Sequence, residues 1–525
     1  HRTYAICSDG DLMEGVGHET ASLAGHLKLG KLTWLWDDNR ITIDGTTQIA
    51  FTEDVEARFR ALGWHTQRVE DANDIDALDA ALQRAGDRPD APSLIAVRSH
   101  IGYGAPNKQD TPSAHGAPLG EDEIRLAKAS YGWPTDDSFL VPDEVRAHMG
   151  GQVERGRSLS AAWDRQMASY ESAHPDLARE FGRRLTGELP EDWDKELPVF
   201  DAGSALPTRV ASGKSLVPLA RRLPELIGGS ADLAGSNNSN VESPDFQAAS
   251  PEGRNIRWGV REHAMASAAN GMALHGGVRP YVATFFIFSD YARPAMRLAA
   301  MMKLPVIYVL THDSIGLGAD GPTHQPVEHL ASFRAMPGMT LVRPGDANET
   351  AEAWRQAAQR TDGPTVLVLS RQALPVGDSE SAREAVKRGA GVVVAESGET
   401  PDVVIVGSGS EVQLARAAAE ELAREGVAAR AVSFPSWEVF RRQPAAYRES
   451  VFPPSVPVVA IEAGAALGWS EWTGPCGSVV SLERFGRSGA SQDNFRDLGI
   501  TSDRAKAAAL RAVRACSDGC CGGGK

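Results

Sequence analysis

The sequence predicts an α/β protein of three successive units, each a mostly parallel sheet covered by helices. Two observations carry this. Short apolar runs alternate with amphipathic helical stretches along most of the 525 residues, the pattern of strands buried on both faces. Breaker-rich segments interrupt the alternation twice, and a length of this size is a soft prior for about three domains at ~150 residues each.

The strand runs, in order, are Tyr4–Cys7, Leu32–Trp36, Ser93–Val97, Tyr281–Phe286, Val306–Thr311, Thr365–Leu369, Val403–Val406 and Val458–Glu462. Amphipathic stretches such as Glu349–Gln359 and Glu411–Glu425 lie between them. Gly187, Pro190 and Pro198, among many charges and few apolar residues, mark 182–202 as a linker. Gly389, Gly391 and Gly398 mark 377–399 as a second. The units then run 1–181, 203–376 and 400–515, and 516–525 reads as a flexible tail.

Charge narrows the partners. With 54 Lys+Arg against 69 Asp+Glu the formal net charge is −15, which disfavours nonspecific nucleic-acid binding and docking on anionic lipid. The longest apolar runs, such as Leu304–Leu310, fall short of the ~18 residues of a membrane span. A local basic pocket for a phosphorylated metabolite is still allowed. Five cysteines (Cys7, Cys476, Cys516, Cys520, Cys521) are too few for a disulfide framework and fit a reducing cytoplasm. The chain opens at His1 directly into a strand, which reads as a start part-way through a domain.

The sharpest local feature lies in the first unit. One strand ends in Ser8-Asp9-Gly10-Asp11, a helical stretch over about Leu12–Leu29 leads to Gly30 as its stop, and the next strand ends in Asp37-Asp38-Asn39-Arg40-Ile41. Both polar clusters sit at the carboxyl ends of parallel strands, where open α/β sheets build ligand crevices. The Asp9 carboxylate, the Asn39 amide oxygen and the Ile41 carbonyl are hard donors suited to Mg2+ or Ca2+ carrying ligand phosphates. Isolated Asp-Gly and Asp-Asp-Asn turns are common caps; the joint pattern is much rarer.

At these residues the chain resembles the transketolase family. Ser8-Asp9-Gly10…Asn39 is similar to the thiamine-diphosphate motif, and Met13-Glu14-Gly15…His18-Glu19…Leu23-Ala24-Gly25-His26-Leu27-Lys28-Leu29-Gly30 to its transketolase form. Further blocks follow in family order to about residue 510: Ser113–Gly120, Gly229-Ser230-Ala231-Asp232-Leu233…Ser236-Asn237, Gly259-Val260-Arg261-Glu262-His263, Thr311–Gly318, Asp320–Pro326 and Leu369-Ser370-Arg371-Gln372.

The resemblance implies two cofactor domains plus a C-terminal domain, and transfer of a two-carbon ketol unit between sugar phosphates. Thiamine diphosphate supplies the electron sink that cleavage beside a ketose carbonyl requires. Asp9, Asn39 and Ile41 would hold Mg2+, with Ca2+ or Mn2+ as alternatives, and Gly10 lies in the same cofactor motif. Glu262 would pair with the pyrimidine ring nitrogen and favour the imino form of the 4′-amino group; burial beside an apolar ring suits that exchange. Phe285, Phe288 and Tyr291 would surround the pyrimidine, with Asp232 and Leu233 beside the cofactor. Glu14 and Glu19 would link two cofactor sites across a homodimer. His115 and His324 would move or polarise sugar protons, His115 also facing the cofactor, and Asp320 would read the donor hydroxyl. Arg209, Ser236, His312 and Arg371 would take the phosphate, where the Arg fork bonds two oxygens at once.

Two departures stand out. Ser8 replaces the first Gly of the usual motif, a strain of order ~1 kcal/mol if the backbone there needs positive φ. Relatives carry ~140 further residues before this point, so the first sheet is expected to expose an apolar edge and face. Dihydroxyacetone synthase and deoxyxylulose-phosphate synthase are the alternative thiamine enzymes. A subunit inactive without a complementing N-terminal polypeptide is the alternative of another class. Gly407-Ser408-Gly409-Ser410 before a helix has the look of an anion loop, but no family site residue maps there, so its expected role is structural and dimer-related.

Overall fold

The computed structural model describes residues 1–517. They form two compact units: His1–Arg179 with Gln247–Ala249, and Glu180–Phe246 continuing from Ser250. Cys520 and Cys521 lie outside the described residues. Among the described residues no helix is long and apolar enough to cross a membrane.

The first unit is a parallel four-stranded sheet of β1 (Thr3–Ser8), β2 (Leu32–Asp38), β3 (His65–Val69) and β4 (Ser93–Arg98), ordered β1-β2-β4-β3. One face packs Leu12, Ala21 and Ala24 against Trp36, Phe59 and Trp64; the other packs Ala81 and Ala85 against Val69, Ile95 and Val97. As an edge strand β1 leaves Tyr4 53% and Ile6 82% exposed, the uncovered edge and face the sequence suggested. The strand β3 was not legible, because His65-Thr66-Gln67-Arg68 is polar and only half-buried at the opposite edge. Gly30 is not the helix stop. The helix ends at His26 and Lys28 takes the left-handed conformation (φ 52°), while a Cβ on Gly30 would stand 2.2 Å from the Pro89 carbonyl oxygen.

The second unit holds both later sequence units. Its short ribbon pairs β5 (Ala205–Pro207) with β11 (Ala373–Pro375). One five-stranded parallel sheet takes β6 (Leu226–Ser230), β7 (Arg279–Phe285), β8 (Ile307–Thr311), β9 (Thr340–Val342) and β10 (Thr365–Leu369), ordered β6-β7-β8-β10-β9. The other takes β12 (Gly391–Val394), β13 (Val403–Gly407), β14 (Ala429–Ser433), β15 (Val458–Ile461) and β16 (Ser478–Val480), ordered β12-β14-β13-β15-β16, with β12 antiparallel.

Neither proposed linker is free chain. In 182–202, Trp193 is buried with Leu216, Leu219 and Tyr281, and Leu189 and Leu197 pack on the same cluster. Trp193, Leu189 and Leu197 face inward although Leu185 and Val199 stay exposed, so the charged composition misleads. In 377–399, a helix (Ser379–Arg388) buries Ala382, Ala385 and Val386 at helical spacing, and β12 completes the last sheet. The final helix (Ser502–Ser517) includes Cys516, so order continues into the segment expected to be a tail.

Candidate active site

In the first unit, β1 passes directly into the helix Asp9–Met13. Ser8 is extended (φ −106°), so serine carries no left-handed strain; its backbone N–H and hydroxyl donate to the Asp11 carboxylate at 2.8 and 3.0 Å. Asp9 turns inward, 3% exposed, and its Oδ1 accepts from Trp36 Nε1 at 2.9 Å. Burial, followed by the fields of Asp38 and Asp37, pushes this carboxyl up to about 6 despite the Trp36 bond. At the end of β2, Arg40 takes φ 63° and Asn39 closes the turn: its Oδ1 accepts from the Ile41 N–H at 2.9 Å and its Nδ2 donates to Asp37 at 3.1 Å. Arg68 neutralises Asp38 at 2.9 Å. Asp9 has no such cation among the described residues. A buried, acid-flanked carboxylate beside an amide oxygen and a turn carbonyl is a donor set that fits a hard divalent ion.

Gly10 is not demanded by the chain's own packing, since a Cβ there would meet only Ser8 Oγ at 3.7 Å. Glu14 is exposed between two helices, Glu19 is half-buried in the second (Gly15–His26), and His115 is exposed on the loop after Pro112–Ala114.

In the second unit, the predicted residues gather at the carboxyl end of the β6–β10 sheet. Asp232 (φ 57°, exposed), Leu233 and Ser236 follow β6; Phe285 ends β7, with Phe288 and Tyr291 just beyond; His312 follows β8; Arg371 follows β10. Phe285 and Phe288 lie parallel with centroids 5.9 Å apart. Phe285 stacks on His312 at 3.6 Å, Phe288 meets His324 edge-on at 5.4 Å, and Tyr291 flanks Phe288 at 6.3 Å. Glu262 is buried as the first residue of the helix Glu262–His275, which packs on the helix Ser289–Met301 that follows Phe288. Asp320 and the outer face of Tyr291 are exposed.

Three cationic or imidazole groups crowd together. Burial, then the field of Arg371, lowers the affinity of the Arg209 guanidinium for its proton; its Nη1 donates to the Ser236 carbonyl, while its buried Nε has no partner. Arg371 donates to the Leu317 carbonyl at 3.0 Å. Burial, then Arg209, Arg371 and His324, drives His312 down to about 3, so it is a neutral imidazole at physiological pH. An anion fits this place, because it would relieve both guanidinium groups.

The sequence did not reveal what orients His312. Ser230 Oγ donates to the Ala283 carbonyl at 2.9 Å and accepts from Asn237 Nδ2 at 2.7 Å; Asn237 Oδ1 accepts from Thr311 Oγ1 at 2.6 Å. With its proton spent, the Thr311 hydroxyl accepts from His312 Nδ1 at 2.8 Å, which leaves Nε2 as the free acceptor. Ser230, Asn237 and Thr311 were within the recognised blocks, but no spacing rule announces such a relay.

Three family profiles match the chain: "Transketolase, thiamine diphosphate binding domain" over residues 1–190, "Transketolase, pyrimidine binding domain" over 204–376 and "Transketolase-like TK C-terminal domain" over 389–501. A transketolase from Geobacillus stearothermophilus is 51% identical over 508 residues, covering 96% of this chain and 76% of the relative. The solved transketolase from Leishmania mexicana superposes with a TM-score of 0.95 at 41% identity, over 99% of this chain and 77% of that one. A Pichia stipitis transketolase in complex with sedoheptulose 7-phosphate gives 0.93 at 42%, over 98% and 76%.

Proposed function

The chain belongs to the transketolase family, and we propose that it transfers a two-carbon ketol group from xylulose 5-phosphate to ribose 5-phosphate, as in the pentose phosphate pathway. The observation that carries the proposal is the joint placement of Arg209, Arg371 and His312 beside stacked Phe285 and Phe288: an anion site next to an aromatic slot. The Pichia stipitis complex with sedoheptulose 7-phosphate supports a sugar-phosphate substrate.

Thiamine diphosphate, when bound, supplies the electron sink. Phe285, Phe288 and Tyr291 would enclose its pyrimidine, Asp232 and Leu233 would flank it, and Glu262 would hold a proton at the ring nitrogen. On the diphosphate side Asp9, Asn39 and the Ile41 carbonyl would hold Mg2+, with Gly10 leaving room for close approach. His324, in edge contact with Phe288, would exchange protons with the sugar hydroxyls, as would His115; Asp320 would accept from the donor hydroxyl. Arg209, Arg371, Ser236 and His312 would take the phosphate, which by its charge returns a proton to His312. Glu14 and Glu19 would serve a homodimer, in a cytoplasmic location.

The test is direct: the intact protein with thiamine diphosphate and Mg2+ is expected to form sedoheptulose 7-phosphate from that substrate pair, and Glu262→Gln to abolish most of it. No product from the wild type sinks the proposal. Preference for formaldehyde as acceptor would point to dihydroxyacetone synthase, and a pyruvate requirement to deoxyxylulose-phosphate synthase.

A further inference from the structure

We propose that Asp290, Glu328 and His329 form a binding site for a divalent transition metal of the Zn2+, Co2+ or Mn2+ class, distinct from the Mg2+ donors of the first unit. One nitrogen and two carboxylate oxygens converge here, with ligand atoms within 4.8 Å of one another. The pair an ion would bridge is His329 Nε2 and Asp290 Oδ2, 3.1 Å apart, while the Glu328 carboxylate lies 3.9 Å from the other ring nitrogen and supplies the third oxygen within the 4.8 Å limit. Around a tetrahedral ion with bonds of ~2.0–2.2 Å, ligand atoms stand ~3.4 Å apart, so the His329–Asp290 pair is already near the required edge.

The independent observation is His329 itself. The side chain is 1% exposed, and among the described residues neither ring nitrogen makes a well-aligned hydrogen bond, the 3.1 Å approach of Asp290 Oδ2 to Nε2 being an ion-pair contact. A buried imidazole is normally hydrogen-bonded, and leaving one without a well-aligned partner costs of order ~1–3 kcal/mol. Its ring is fixed edge-on against Phe286 at 5.4 Å, which aims it at the two carboxylates rather than at solvent. Asp290 and Glu328 are both exposed, so an ion has an entry path. Arg293 approaches Asp290 only at Oδ1, 3.8 Å away, and spends its Nη2 on Ser332, which leaves Oδ2 for a metal.

Imidazole with carboxylates selects borderline transition ions over Mg2+. An ion here would tie Asp290, adjacent to Tyr291, to the segment that carries His324, and so brace two walls of the aromatic slot.

The experiment is a Co2+ titration of the full chain loaded with thiamine diphosphate and excess Mg2+, its thiols alkylated so that cysteine cannot bind. Visible cobalt absorption is expected to saturate at one equivalent. Asp290→Asn and Glu328→Gln are each expected to weaken binding roughly 10–100-fold or more, and His329→Gln to abolish it. Because both carboxylates are exposed, those two variants decide the matter even if the buried histidine variant fails to fold. Absence of saturable absorption, or unchanged affinity in D290N and E328Q, overturns the proposal.

Discussion

The two five-stranded sheets of the second unit are built alike and used oppositely. At the carboxyl end of β6–β10, Phe285, His312, Arg209 and Arg371 surround a place suited to an anion. At the carboxyl end of β12–β16, the same crevice is filled from within. Arg343 donates to Asp313 through Nε at 3.0 Å and Nη2 at 2.7 Å, and to Ser408 and Glu411 through Nη1. Arg334 pairs Glu462 through both ends at 2.7 Å and lies 4.0 Å over Trp437. The Gly407-Ser408-Gly409 turn is therefore no anion loop: its Ser408 carbonyl and hydroxyl accept from a cation. An α/β crevice is a generic opening, and its contents decide whether it binds a ligand or a neighbouring domain.

Removing the plug should have the largest effect. Arg343→Leu leaves Asp313 and Glu411 buried without their partner, and loss of one member of such a set costs ~3–5 kcal/mol. Urea unfolding followed by tryptophan fluorescence reads it. A variant as stable as wild type would mean that the crevice is not held by charge.

The converse change belongs to the open sheet. Arg371 is exposed and among the described residues holds only the Leu317 carbonyl, so Arg371→Leu should leave stability within ~0.5 kcal/mol. A lost charge-assisted phosphate bond is worth ~1.5–3 kcal/mol, or roughly 10–100-fold in kcat/KM for phosphorylated donors. An equal loss with unphosphorylated hydroxypyruvate would remove the phosphate role.

Between these lies a backbone test. Gly409 has φ 53°, and a Cβ there would stand 2.5 Å from Arg343 Nε. Gly409→Ala should cost at least ~1–2 kcal/mol, from the left-handed backbone alone. If the alanine variant is as stable as wild type, the loop does not need this close approach.

Strands made of continuous apolar runs were legible because burial on both faces needs no alternation: Thr365–Leu369 is a strand over those very residues. Edge strands other than β1 were not, and neither was β14, which lies inside its sheet. β12 hides in a glycine-rich stretch because one antiparallel partner suffices for it. The aromatic and basic residues of the open sheet were legible through the family blocks, whereas the plug was not. Arg343 sits in an ordinary Val-Arg-Pro turn, and its partners Asp313, Ser408 and Glu411 come from distant segments, so no local pattern joins them. Asp290 and His329 escaped notice for the same reason.

Acid should separate the two sheets, with the smallest effects. His312 is held down to about 3 in the fold, against ~6.5 in an unfolded chain. The unfolded state takes the proton first, so stability falls as pH drops from ~6.5 toward 3, by at most ~1.4 kcal/mol per pH unit. Asn tolerates the left-handed φ of 62° at this position, so His312→Asn should fold yet lose stability less steeply between pH 6.5 and 5. At the matching strand end of the other sheet, burial alone would raise Glu462, but Arg334 and Arg343 pull it to about 2. Its contribution is complete above ~4.3 and is lost only as pH falls from there through 2. Urea midpoints of the wild type and His312→Asn should therefore diverge between pH 6.5 and 5, while Glu462 adds its slope only below that window. Parallel curves over pH 6.5–5 would mean that the open sheet's imidazole keeps an ordinary proton affinity, and with it the contrast between a crevice prepared for an anion and one already filled would lose its electrostatic basis.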